Sequence, residues 1–164
     1  MYNIGQYIVH PGQGVCRVEG VVEEPTAVYK LMPVGQRNPM RIIFPVASEG
    51  KLRPVLSHDE AMELIDQYAT LQVDEYTDRS SALEEDHFKR EIRQGTCRDT
   101  MRIVKTFRTR IAETRARNKK PPVVYERILK QASKRSLEEL SVALGMSTDD
   151  VRMLFVQRYD DDLN

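Results

Sequence analysis

The sequence predicts an α+β chain, with a small five-stranded β unit over residues 1–56 followed by an all-α bundle over residues 57–164. Two observations predict it, and a third bears on its partner. Up to residue 56, apolar and polar residues alternate in short runs separated by Pro and Gly. At Ser57 the period changes to three-to-four. The charges are also sorted, although the net charge is zero. His87 to Arg135 holds 16 Lys and Arg against 4 Asp and Glu, a local +12, with acidic stretches on both sides.

The strands come first. Gly5–His10 is short and alternating, Pro11-Gly12-Gln13-Gly14 is a turn cluster, and Val15–Val22 alternates again. Val28–Met32, Met40–Phe44 and Leu52–Val55 complete about five strands. Five strands in so few residues are the size of an SH3-like or Tudor-like barrel.

The helices follow. Ser57-His58-Asp59-Glu60 is a capping box, in which the Ser hydroxyl caps the Glu60 amide and the Glu60 carboxylate reaches back. Met62, Leu64, Ile65 and Tyr68 then fall at helical spacing. Asp74–Glu85 is polar and reads as a loop or frayed connection, with a second helix beginning around Phe88 and Ile92 and stopping near Gly95. Met101, Val104, Phe107 and Ile111 form the apolar stripe of a third helix, whose other side carries Arg98, Arg102 and Lys105. Asn118-Lys119-Lys120-Pro121-Pro122 breaks it. Pro122 or Val123 starts the next helix, which runs to a C-cap at Gly145. Thr148–Tyr159 is a short terminal helix, followed by an acidic tail.

Several function classes are disfavoured. Pro11-Gly12-Gln13-Gly14 has no following helix and no Lys-Ser/Thr, so it is a turn and not a phosphate loop. His10, His58 and His87 lie far apart without ligand-spaced partners, and the acids of Asp74–Asp86 and Asp160–Asp162 lack EF-hand spacing, so no metal is expected. No Ser or Cys sits in a nucleophile context, and neither an enzyme, a cofactor nor a small-molecule substrate is expected. No apolar run approaches the roughly 20 residues of a membrane span, and the first residues lack a secretory signal. Cys16 and Cys97 read as reduced thiols of a cytosolic protein.

The +12 segment fits a polyanion, with phosphate contacts expected from Arg98, Arg102, Lys105, Lys119 and Lys120, then from Arg90 and Arg93. Leu137–Val151 also has helix-turn-helix spacing, with Ser141 four before Gly145 and Val151 six after it. Asp149-Asp150 would open its recognition helix toward phosphates, and only Arg152, Gln157 and Arg158 answer them. A packed helical corner is the favoured reading. A stand-alone helix-turn-helix regulator using residues 137–158 is the alternative.

With these motifs in place, the chain resembles the CarD family of bacterial RNA polymerase-binding transcription regulators, including its CdnL-type members. Its N-terminal half is also similar to the polymerase-interaction domain of transcription-repair coupling factor. The resemblance rests on Ile4–Val15, on Met40–Pro45, on Phe88–Gly95, and on Lys119-Lys120, Ala132 and Glu139–Gly145. It implies a barrel that docks on the polymerase β subunit, with Arg41, Ile43, Phe44 and Pro45 as contact residues, and basic helices that hold promoter DNA and modulate open-complex stability. Four positions depart from the family pattern. His10 stands where the family has Tyr, Gln13 stands where it has His, and Ile43 takes a usually basic position, for which Arg41 on the same strand face can substitute. The chain has no Trp where many members wedge one into the minor groove, and Tyr76 is the only aromatic residue there.

Overall fold

A computed structural model of the protein describes residues 1–160. The N-terminal part is an antiparallel sheet of β1 (Tyr7–His10), β2 (Gly14–Val22), β3 (Val28–Pro33), β4 (Ile42–Pro45) and β5 (Arg53–Pro54), in spatial order β4-β3-β2-β1-β5. Gly14 closes the β1–β2 turn at φ +78°, a left-handed conformation that costs glycine little. Alternation places Ile8, Cys16, Val18, Tyr29 and Leu31 on one face, where they form a small core with Leu52, Ile42 and Phe44. The sheet curls far enough for His10 on β1 to meet Phe44 on β4 edge to face, ring centroids 5.4 Å apart, although two strands separate them in the sheet.

The last two strands are shorter than the sequence pattern predicts. β4 starts at Ile42 rather than Met40 and runs one residue further than predicted, to Pro45; a 3-10 helix over Val46–Lys51 follows, and β5 is only two residues long. Its single pairing line is Ile8 with Pro54 and Val9 with Arg53.

The rest of the described chain is helical: α1 (His58–Gln67), α2 (Ser81–Gln94), α3 (Cys97–Ala116), α4 (Val123–Leu144) and α5 (Thr148–Tyr159). The Ser57 capping box forms, with Glu60 N–H on Ser57 Oγ at 3.1 Å and Ser57 N–H on Glu60 Oε1 at 3.0 Å. Gly145 ends α4 in the left-handed region, as its C-cap role requires. Phe88, Met101, Val104, Phe107, Ile128, Leu140 and Phe155 share one core.

Helix α2 starts at Ser81, well before the Phe88 at which the apolar period begins. Ser80 Oγ caps it by accepting the Leu83 N–H at 3.3 Å. Two of its acids, Glu84 and Glu85, are held by cations, chiefly from other helices. Glu84 is 5% exposed and pairs with Arg110 of α3 at 3.1 Å. Glu85 pairs with Lys89 at 3.2 Å and with Arg127 of α4 at 2.9 Å. A segment that is loop-like by composition is therefore helical because its charges are neutralised in three dimensions.

The sheet and the bundle meet along a polar seam. Arg53 of β5 donates to both carboxylate oxygens of Glu139 on α4, at 2.7 and 2.6 Å. Arg135 of α4 donates to the carbonyls of Pro11 and His10, at 2.5 and 3.4 Å. The acidic run Asp160-Asp161-Asp162 lies, beyond Asp160, outside the described residues.

Candidate functional site

Two surfaces carry the residues of interest. The first is the outer edge of β4. This strand pairs with β3 through Tyr29–Phe44 and Lys30–Ile43. Among the described residues nothing pairs with its other side. The opposite edge of the sheet, β5, is turned to the bundle by Arg53, so the two edges differ in availability. Alternation turns Ile42 and Phe44 inward and leaves Arg41, Ile43 and Pro45 exposed. Ile43 is 57% exposed and the preceding Met40 is 80% exposed, an apolar pair beside open backbone groups. Arg41 reaches back to Glu19 on β2 at 3.3 Å, an exposed ion pair that competition can displace at small cost.

The second surface is cationic, and the structure divides its residues into two kinds. Arg98 donates to Gln67 Oε1 at 2.7 Å, and Arg102 to the Gln72 carbonyl at 3.3 Å. Lys105 donates to the carbonyls of Ala69 and Leu71, at 2.7 and 2.6 Å. All three lie on one side of α3, as their spacing predicts, but they also fasten the end of α1 and the chain after it. Arg90, Arg93, Lys119 and Lys120 are exposed, and their side chains have no hydrogen-bond or ion-pair partner among the described residues. The lysines directly follow the turn where Asn118 adopts φ +58°, beyond the end of α3.

Two adjoining grooves run between the bundle and the loop after β3. The larger, about 1180 Å³, is bordered by Arg37 of that loop and by Arg115, Lys130 and Lys134 of the helices. The smaller, about 360 Å³, is bordered by Arg93, Lys134 and Arg135, and both share Glu138. Gly35 lies so close to Glu138 that a methyl group there would collide with the carboxylate.

Sequence reasoning missed Arg110. It stands in the charge count as one more surface cation, yet it sits 4.9 Å over the Phe107 ring and 5.5 Å over Phe88. It also pairs with buried Glu84 and donates to the carbonyls of Asp74 and Tyr76. Arg135 is likewise structural. Nothing in periodicity or spacing separates these two from the solvated arginines around them.

Tyr76 packs on the bundle. Its ring stacks on His87, centroids 3.6 Å apart and planes 15° from parallel, and its hydroxyl donates to Asp78 at 3.2 Å. In α5, Arg152 pairs with Asp149 at 2.8 Å, Arg158 pairs with Asp66 of α1, and Gln157 is exposed. Two of the three groups that a helix-turn-helix would turn to base edges are thus engaged with acids.

No helix among the described residues is long and apolar enough to cross a membrane. Residues 2–56 match the family model of the CarD-like/TRCF RID domain. No curated protein matches the chain.

Proposed function

Residues 2–56 belong to the CarD-like/TRCF RID family of RNA polymerase-interaction domains, and on that premise we propose that the protein is a non-enzymatic regulator of transcription initiation that bridges polymerase and promoter DNA. Residues 1–56 are the docking unit and residues 57–164 the DNA-contacting unit. The observation that carries the reading is the unpaired outer edge of β4 inside the matched domain. A strand of the polymerase β subunit adds to that edge, with Ile43 and Pro45 against apolar side chains and Arg41 against an acid. Main-chain hydrogen bonds supply affinity and the alternating side chains supply register.

DNA is held through phosphates, independently of sequence, by Lys119 and Lys120 and by Arg90 and Arg93. Arg98, Arg102 and Lys105 contribute charge from positions they also use to fasten the chain after α1. Docking raises the local concentration of a weak DNA contact, so modest intrinsic affinity suffices. Regulation is differential binding: whichever promoter state places DNA against the bundle is favoured. The Arg53–Glu139 seam matters here because it transmits the docking orientation to the helices.

The experiment is the lifetime of open promoter complexes with and without the full chain. A changed lifetime that returns to the basal value when the β4 edge is disrupted supports the reading. An unchanged lifetime at saturating protein opposes it.

A further inference from the structure

Asp74, His87 and Glu91 each offer one ligand atom, and the three atoms lie within 4.8 Å of one another. His87 and Glu91 are one helical turn apart on α2, with Nε2 and Oε1 3.4 Å apart. Two donors bound at about 2.0–2.2 Å to one ion stand at about that separation. Asp74 is fixed independently: its N–H donates to Thr106 Oγ1 at 2.8 Å, and its Oδ1 accepts the Tyr76 N–H at 2.8 Å. The imidazole plane of His87 is fixed by the Tyr76 stack.

All three residues are half-buried and line one cavity of about 360 Å³, enough for an ion and the waters that complete its shell. Neither carboxylate has a Lys or Arg ion-pair partner among the described residues. Arg90 and Arg102 border the same cavity, so the local field is mixed and the affinity is moderate.

We propose that Asp74, His87 and Glu91 form a binding site for a divalent transition ion of the zinc type, with one nitrogen and two oxygen donors and water in the remaining positions. The donor set decides the class. Magnesium and calcium favour oxygen-only shells of six or more ligands, whereas an imidazole with two carboxylates suits zinc and its neighbours. The bound ion joins the connection before α2 to α2 itself, at the segment that also holds Tyr76. An ion that binds only the folded arrangement stabilises it by linkage.

Zinc chloride titrated calorimetrically into the full chain, in a non-chelating buffer near pH 7.5 with a phosphine reductant, is the test. The wild type is expected to bind one equivalent saturably and to melt higher when loaded. Glu91→Gln keeps the side-chain shape and should weaken binding at least about tenfold, as should His87→Ala if it folds. His58→Ala, at an exposed position outside the cluster, should bind like the wild type. Magnesium in large excess should not displace zinc. Absence of saturable zinc binding, wild-type affinity in Glu91→Gln, or displacement by equimolar magnesium would each overturn the assignment.

Discussion

Arg53 and Glu139 lie 86 residues apart and form a bidentate ion pair, with both nitrogen-to-oxygen distances under 2.8 Å. Glu139 is 3% exposed and accepts a third hydrogen bond from the Leu56 N–H at 3.1 Å. The pair joins the last strand of the sheet to the C-terminal part of α4. Glu139 is desolvated whereas the Arg53 side chain keeps 28% of its surface, so removing Arg53 strands a buried carboxylate. Arg53→Ala should therefore destabilise the protein by about 3–5 kcal/mol. Glu139→Ala should be destabilising by less, because the arginine it leaves is partly hydrated, and the double variant should cost less than the sum of the singles. Urea unfolding of the four proteins measures this. Single-variant losses below about 1 kcal/mol would show that the seam is held by other contacts.

His10 gives the fold a pH dependence of definite sign. Its Nδ1 accepts the N–H groups of Gly12 and Gln13, at 3.0 and 3.1 Å, so that nitrogen is unprotonated in the folded turn. Burial, and secondarily the Arg135 charge, push its pKa below the usual 6.5. The unfolded chain then takes up a proton at a pH where the folded chain does not. This contribution to stability is full above about pH 6.5 and declines as pH falls toward the folded value. His10→Asn should flatten that decline between pH 7.5 and 5, read as urea midpoints. An equally steep decline in the variant would assign it to other groups.

The two cysteines should be inert in the folded state. Cys16 and Cys97 are unpaired and buried. Burial pushes the Cys16 thiol up to about 11 and the Cys97 thiol well above its ordinary value. Little thiolate is present at pH 8, and reagents cannot reach it. A disulfide-exchange reagent should label neither thiol of the native protein within minutes and both in urea. Rapid native labelling would indicate that one of the cores opens.

The DNA contact should respond differently to two sets of lysines. Lys119→Gln with Lys120→Gln removes exposed charges that hold nothing else in the described fold. It should flatten the slope of log affinity against log salt by about 2, at about 0.9 per phosphate, with little change in melting temperature. Lys105→Gln removes donors from the carbonyls of Ala69 and Leu71, and should lower the melting temperature. A wild-type slope near zero would mean that the basic segment contacts no phosphate.

Most element types were legible because their signals are local. The Ser57 capping box, the apolar stripe of α3 and the Gly145 C-cap each lie within a few residues, and each forms as the sequence predicts. The start of α2 was not legible, because Ser81–Asp86 is helical through ion pairs to Arg110 and Arg127, far away in sequence. The same cause limits the reading of charge. Arg110 and Arg135 add to the basic count but are structural, and only the fold separates them from Lys119 and Lys120. The histidine reading has a different cause. The three histidines are scattered in sequence; Glu91 lies one helical turn from His87, and Asp74 joins them only through the folded connection.

Docking of the outer β4 edge on RNA polymerase is tested by a calorimetric titration of the full chain into the isolated polymerase β subunit, for the wild type, Arg41→Glu and Ile43→Pro. Arg41→Glu replaces a partner of Glu19 with a like charge and opposes an acidic partner, at a cost of about 2–5 kcal/mol if that contact is buried on docking. Ile43→Pro removes an N–H from the strand. The wild type should bind saturably and one-to-one, and both variants should bind at least about tenfold more weakly, with each variant shown to be folded by its melting transition. Absence of wild-type binding, or wild-type affinity in both folded variants, would contradict it.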